Sequence, residues 1–323
     1  MNADFTCRIC GSNNCNKYLV KEMQFGLRDE FDYYECLDCG CLQIGKYPND
    51  MSRYYPSQYF SFSSPREKNA IKEYLNAYRD KASLGAKSFI GSLLLRKLDE
   101  PTYIRRLKIV NAKPDDIIMD VGCGSGKLLY RMGNAGFTNL LGIDPFVEKD
   151  IYYKNGVKIL KKSLDEIKDK FDLITLHHSF EHMHNPHQVM QKLNNLLKPD
   201  KHLILGIPLA SSWAWRHYGV NWVNLDAPRH FYLHSVKSLK MLMSKYGFEI
   251  IHTMYDSLGS QFMGSEQYIR DISEYSPNSY LIDPKKSIFT SEEISLYEKR
   301  AEQLNAAADG DRACFFLKKI KDI

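Results

Sequence analysis

Residues 117–126 read Ile117-Ile118-Met119-Asp120-Val121-Gly122-Cys123-Gly124-Ser125-Gly126, an apolar run closed by an acid and a glycine-rich turn. Lys127-Leu128-Leu129-Tyr130-Arg131-Met132 follows with helical spacing, so the pattern is strand, tight loop, helix. Glycines at such a turn take φ values other residues resist, and let a ligand lie against bare backbone at a helix N-terminus. Gly122-x-Gly124-x-Gly126 alone is a weak signal. It is not the dinucleotide fingerprint G-x-G-x-x-G, because Lys127 stands at the third-glycine position. A second apolar run, Leu140-Leu141-Gly142-Ile143, ends in Asp144, at roughly the spacing of a carboxylate that holds ribose hydroxyls. Together the two turns favour a nucleoside-bearing ligand.

Asp120-Val121-Gly122-Cys123-Gly124-Ser125-Gly126 paired with Gly142-Ile143-Asp144 resembles the class I S-adenosylmethionine-dependent methyltransferases. The resemblance strengthens downstream. Phe171-Asp172-Leu173-Ile174-Thr175-Leu176 gives a fourth strand, followed by His177-His178-Ser179-Phe180-Glu181-His182-Met183, where the family commonly carries Leu-Glu-His. Leu197-Lys198-Pro199-Asp200 then stands where the family carries Leu-Lys-Pro-Gly before its fifth strand. The similarity covers roughly residues 101–256 and the last strand, and four motifs in order are far more specific than any one. It implies an α/β, Rossmann-like fold with a seven-stranded, mainly parallel sheet, and S-adenosylmethionine as cofactor.

The chain has 323 residues, 44% hydrophobic and 26% charged, which is room for a full core and an accessory domain. We read no run long enough to cross a membrane and no signal peptide, and expect a cytoplasmic protein. A net charge of +5 without a long basic run argues against a dedicated nucleic-acid binder.

Six of the eight cysteines lie in the first 41 residues. Cys7-x-x-Cys10 and Cys36-x-x-Cys39 are two knuckle-like pairs, each able to place two thiolates on one tetrahedral ion. Their separation exceeds the usual ribbon spacing, which a longer hairpin would absorb. We expect structural zinc in a four-cysteine, zinc-ribbon-like module over 1–50; disulfides and a metal-free remnant are the alternatives. Cys15 and Cys41 are spare candidates.

Residues 51–113 read as an aromatic strap and helical lead-in. Tyr54, Tyr55, Tyr59, Phe60 and Phe62 are too many aromatics for a solvated linker, and Pro56 and Pro65 break any long helix. The segment is either a strap on the catalytic domain or a lid with Tyr54, Tyr55 or Tyr59 facing a ligand. Two or three helices follow, with Ile71, Leu75 and Tyr78 spaced for one buried face.

The Rossmann-like domain is expected over 114–323, with strands near 116–121, 139–144, 157–160, 171–177, 201–207, 248–255 and 313–318, and ligands at their carboxyl ends. The resemblance implies Gly122, Cys123 and Gly124 under the methionine part of the cofactor, Asp144 on the ribose, and Pro145, Ser163 and Leu164 at the adenine. Asp120 often ties loop amides in this family. His177 and His178 should reach the methionine moiety or the acceptor. A hydroxyl acceptor needs a base, and histidine suits that work near neutral pH. Our candidates are His178 and His230, with Glu181 beside them; Glu181 and His182 also have a structural reading.

Two insertions are expected on the acceptor side, at about 208–235 and 257–311. The first carries all three tryptophans, Trp213, Trp215 and Trp222, with Asp226, Arg229, His230 and His234. Aromatic faces beside polar groups suit a sugar; the alternative is a packed loop. With the cysteine pairs and the Tyr-Tyr-Pro bridge, this excursion resembles methyltransferases of bacterial polysaccharide and deoxysugar biosynthesis. That implies a saccharide acceptor, nucleotide-activated or polymer-linked. The sugar C-methyltransferases of this kind carry a longer C-terminal region, which tilts the reading to O-methylation. In the second insertion Ser291-x-Glu293 looks like a helix cap, and its role is acceptor-side or a homodimer contact. With no oxygen-rich acidic cluster, we expect no catalytic metal. An RNA or protein methyltransferase gripping polymer through the zinc module is a weaker reading, lacking the Asn/Asp-Pro-Pro-aromatic motif. A nucleotide-binding oxidoreductase is disfavoured by the glycine spacing and the missing Tyr-x-x-x-Lys.

Overall fold

A computed structural model describes residues 5–56 and 70–323. Tyr59, Phe60, Phe62 and Pro65 of the strap lie outside the described residues. In chain order the elements are β1 (Cys15–Lys21), β2 (Glu30–Cys36), β3 (Leu42–Ile44), α1 (Ala70–Ser83), α2 (Phe89–Lys97), α3 (Thr102–Ile109), β4 (Ile117–Val121), α4 (Lys127–Ala135), β5 (Asn139–Ile143), β6 (Ile151–Tyr152), β7 (Lys158–Leu160), β8 (Phe171–His177), α5 (Pro186–Leu196), β9 (Leu197–Pro208), α6 (Trp213–Tyr218), β10 (Tyr232–Leu233), α7 (Val236–Lys245), β11 (Phe248–Tyr255), α8 (Ser260–Ile269), α9 (Ser291–Ala306) and β12 (Arg312–Lys319).

The main sheet has the order β11-β12-β9-β8-β4-β5-β7-β6. The pairs β9/β8, β8/β4, β4/β5 and β5/β7 are parallel, and β12 runs antiparallel between β9 and β11. This is a Rossmann-like α/β fold with a mostly parallel sheet. The two-residue edge strand β6 makes eight strands where seven were expected. β9 also begins at Leu197 rather than near 201, because a bulge opposite Phe171–Leu173 lets the Leu197-Lys198-Pro199 stretch stay in the sheet.

Strands buried on both faces read as continuous apolar runs, as β4 and β8 do. In β12 the alternation of period two sorts side chains between two cores: Ala313, Phe315 and Leu317 join one, Cys314 and Phe316 the other. α4 starts after Gly126 and stops at Gly136, both in the left-handed region. α5 starts on Asn185, whose side chain accepts from the Gln188 amide, with Pro186 in the first turn. The chain leaves β4 to build β5 and β7 on one side and β8 on the other, so the crevice for a ligand opens between β4 and β8.

A second sheet, β1-β2-β3-β10, holds the cysteine pairs. Its fourth strand comes from the excursion at 208–235: Tyr232 pairs with Gln43 and Leu233 with Leu42. Cys7, Cys36 and Cys39 therefore share one core with Trp215, Trp222, Phe231 and Leu233.

Two expectations fail here. Ile71 and Leu75 do not form a buried face; Ile71 is 71% exposed, and α1 instead buries Asp80, which accepts from Tyr103 Oη, Arg79 and Arg131. The α9 cap is Thr290 rather than Ser291, because a capping box sets its ends three positions apart, with two residues between, and Thr290 takes Glu293. Among the described residues no helix is long and apolar enough to cross a membrane.

Candidate active site

The β4/β8 crevice is stitched at its base. Thr175 Oγ1 donates to Asp120 Oδ1 at 2.7 Å, and Ser179 Oγ donates to the Val121 carbonyl at 2.8 Å. Asp120 thus holds the neighbouring strand, while Asp144 ties the loop amides: its Oδ2 accepts from Gly124 N at 2.8 Å and its Oδ1 from Phe146 N at 2.9 Å. Gly122, Gly124 and Gly126 all have positive φ. At Gly122 a Cβ would come within 2.5 Å of Ser179 Cβ, so only glycine fits. The Cys123 sulfur packs towards Gly142, where an added Cβ would meet it at 2.5 Å. Pro145 is exposed beside Phe146, whose ring is 74% exposed. Ser163 spends its hydroxyl and amide on Glu166, and Leu164 packs on the core.

Burial pushes the Asp120 carboxyl up to about 7; the Thr175 hydrogen bond opposes this and the Asp144 charge adds to it. Asp144 is likewise raised by burial, against the Phe146 and Gly124 amides. The unfolded chain releases the Asp120 proton near pH 4 and the folded chain near pH 7. Stability therefore falls as pH rises through that window, by on the order of 4 kcal/mol from this group. Thermal unfolding of ligand-free protein at pH 5 and pH 8 is expected to lose more stability in wild type than in Asp120→Asn. Equal losses would contradict the assignment.

After β8 the chain turns sharply. His178 has φ +53°, rare for a non-glycine residue, and its amide donates to the Gly206 carbonyl at 2.9 Å. Such strain, about 1–3 kcal/mol, persists where surrounding structure enforces it, often at functional sites. The turn sends His177 and His178 to different surroundings. His177 Nδ1 lies 3.3 Å from Arg106 Nη1, and Arg106 pairs with Asp256. Burial, then the Arg106 charge, lowers His177 to about 3, so it is neutral and accepts from Arg106. His178 instead sets Nδ1 3.3 Å from Glu181 Oε1.

Glu181 is the centre of the site. It is 1% exposed, and neither carboxylate oxygen has a hydrogen-bond donor. Burial pushes its carboxyl up, but His178, His230 and His182 outweigh burial and hold it at about 2. His230 Nε2 lies 4.0 Å from Glu181 Oε1 and 3.7 Å from Asp226 Oδ2. His182 stacks edge-on against His230, with centroids 4.7 Å apart, and Tyr55 Oη reaches His182 Nδ1 at 3.2 Å. The structure therefore brings His178, Glu181 and His230 together, with Tyr55 of the strap beside them. Tyr54 turns away, donating to Asp29 Oδ2 at 2.9 Å. His234 is buried against Ser238 and Cys41.

Arg229 supports this cluster from below. It is fully buried and pairs with Asp226 and with Glu22 at 2.9 Å, under the Phe25 ring. Replacing it by methionine leaves two buried carboxylates uncompensated, at a cost of about 3–5 kcal/mol. A fall in Tm of roughly 10 °C is expected; an unchanged Tm would refute the support role.

The tryptophans do not face this site as sugar platforms. Trp222 is buried and donates to Asp311 Oδ2 at 3.0 Å, Trp215 donates to Glu35 Oε1 at 3.1 Å, and Trp213 stacks on His217 with centroids 4.2 Å apart. They hold the excursion to β2, β12 and α8, the packed-loop alternative. α8 backs the excursion as well, Ser265 Oγ accepting from the Val223 amide. Sequence reading missed Arg106, Asp256, Phe146 and Glu22, which reach the site from elements far apart in the chain.

The four cysteines Cys7, Cys10, Cys36 and Cys39 bring their sulfurs within 4.8 Å of one another. Gly11 N donates to Cys7 O and Gly40 N to Cys36 O, each glycine at positive φ, which makes two matching knuckles. Cys15 lies outside the group and Cys41 faces His234.

Residues 95–253, just under half of the chain, match the sequence model of a family described as a methyltransferase domain. This region is similar in sequence to that domain. It spans the glycine loop, Asp144 and the Glu181 cluster. Among curated relatives, the chain is 32% identical over 114 residues to a ubiquinone biosynthesis O-methyltransferase of Glaesserella parasuis, covering 29% of this chain and 48% of that protein. It is 32% identical over 103 residues to a tRNA U34 carboxymethyltransferase of Cellvibrio japonicus, covering 28% and 32%. The chain thus spans about half or less of the curated relatives it matches. Among solved structures it is similar to a SAM-dependent methyltransferase from Archaeoglobus fulgidus, with a TM-score of 0.42, 16% identity, and coverage of 70% of this chain and 98% of that one.

Proposed function

We propose that this protein transfers a methyl group from S-adenosylmethionine to a hydroxyl oxygen of a saccharide, nucleotide-activated or polymer-linked. The observation that carries the reading is the donor-free Glu181 carboxylate flanked by His178 and His230 beside the methyltransferase glycine loop. The crevice fits the cofactor: Gly122 and Gly124 leave bare backbone, and each Asp144 oxygen keeps a lone pair beyond its one amide for a ribose hydroxyl. Phe146 and Pro145 offer an apolar edge for the adenine. When bound, S-adenosylmethionine supplies an electrophilic methyl on a sulfonium.

The chain's own residues do the rest. His178 takes the acceptor proton; Glu181 at 3.3 Å favours the imidazolium that results. Arg106, held by Asp256 and His177, offers a cation at the same sheet edge for a carboxylate. The saccharide assignment rests on the resemblance of the excursion, the cysteine pairs and the Tyr-Tyr-Pro bridge to polysaccharide and deoxysugar methyltransferases. The polar ring of imidazoles, Asp226 and Tyr55 suits a polyhydroxylated acceptor. We further infer structural zinc on Cys7, Cys10, Cys36 and Cys39, whose paired knuckles suit a closed tetrahedral site.

Calorimetric titration with S-adenosylmethionine and with NADPH tests the class, followed by methyl transfer to a panel of nucleotide sugars. Binding of the sulfonium alone and a methyl ether product are expected. Binding of NADPH alone would overturn the reading, and a C-methyl product would move the acceptor atom to carbon.

A further inference from the structure

The buried Glu181 carboxylate has no donor, although leaving such a group unmatched is costly. His178 comes nearest, its Nδ1 3.3 Å from Oε1 on a ring that is 45% exposed, and the two buried imidazoles do not donate to the carboxylate either. His182 Nδ1 lies 2.9 Å from the Arg229 carbonyl oxygen, and His230 Nδ1 lies 2.8 Å from that of Asn224. A carbonyl only accepts, so in both rings Nδ1 carries the hydrogen and Nε2 of the neutral ring is left with a lone pair. One nitrogen of each ring and a Glu181 oxygen lie within 4.8 Å of one another. Imidazoles tied at their far nitrogen to backbone carbonyls, converging on a carboxylate, are the outer support that metal ligands require.

We propose that Glu181, His182 and His230 bind a first-row divalent cation, such as Zn2+, Mn2+ or Fe2+. Two imidazoles and one carboxylate select such ions over magnesium or calcium. The expectation of no catalytic metal looked for oxygen-rich clusters, and this donor set is half nitrogen or more. Three protein ligands leave positions for an acceptor. The role of the ion rests on the methyltransferase reading: the acceptor hydroxyl oxygen bonds to the cation, its O–H bond breaks, and the proton passes to His178. His230, as a ligand, then leaves the role of base to His178 alone.

The test uses the whole chain with zinc at its four thiolates, which Mn2+ does not displace. Mn2+ titration followed by paramagnetic resonance is expected to find one ion per chain, bound at least tenfold more weakly by Glu181→Gln and His230→Gln. Affinity for S-adenosylmethionine should persist in both variants, which reports that they fold. In wild type, bound Mn2+ should broaden the ring signals of His182 and His230. Failure of wild type to bind Mn2+, Co2+ or a second Zn2+, or broadening elsewhere, overturns the site. Methyl transfer at full rate with no second ion overturns its role while the methyltransferase reading stands. One bound Mn2+ without any affinity for S-adenosylmethionine supports the site and overturns that reading instead.

Discussion

Exchanging His178 for asparagine is expected to slow turnover about a hundred- to ten-thousand-fold, the range a general base contributes, with cofactor affinity unchanged. The geometry gives the reason. His178 is 45% exposed while its Nδ1 side faces the buried Glu181, so the other edge of the ring is open to an acceptor. A positive φ fixes that orientation, and asparagine tolerates the same backbone. The loss should therefore fall on kcat rather than on folding. Glu181→Gln should reduce kcat as well, because the imidazolium would lose its anion. Calorimetry with S-adenosylmethionine beside single-turnover rates separates the effects. If His178→Asn slows turnover by less than about tenfold, His178 is not the base.

Loss of the proposed zinc is expected to have the larger effect on the fold. Structural zinc contributes on the order of 10–16 kcal/mol to small domains that depend on it. Here the effect should not stay within the first fifty residues. Tyr33 Oη donates to the His230 carbonyl at 2.8 Å, and Ser235 Oγ donates to the Cys39 carbonyl at 2.5 Å. Cys36→Ser should therefore release zinc, expose Trp215 and abolish methyl transfer together. Metal analysis, tryptophan emission and activity read the three losses. A zinc-free variant that keeps its emission and activity would show that the ion is dispensable.

What was legible in the sequence was local. The glycine loop, the strand runs and the paired cysteines each announce themselves within a few residues, because turn chemistry and side-chain period act over that range. Periodicity says that a face differs from its opposite, but not what covers it. α1 thus buries Asp80 against Tyr103 and Arg131 while Ile71 stays exposed. Aromatic clusters are ambiguous in the same way: Trp215 and Trp222 read equally as sugar platforms or packing, and hydrogen bonds to Glu35 and Asp311 decide for packing. The convergence of His178, Glu181 and His230 was visible as residue types. The partners Glu22, Arg106 and Asp256 come from distant elements and left no local trace.

The pairing of β3 with β10 also sets an order of assembly. Cys41 meets His234 across 193 residues of sequence. At a synthesis rate of about 5–20 residues per second, the first sheet would wait on the order of ten seconds or more for its last strand. During that interval Leu42 and Ile44 stand on an unpaired edge, the kind that seeks foreign strands. A nascent chain of this protein is thus most exposed to mispairing at its beginning, and its N-terminal module cannot be made as a finished piece before the catalytic half arrives.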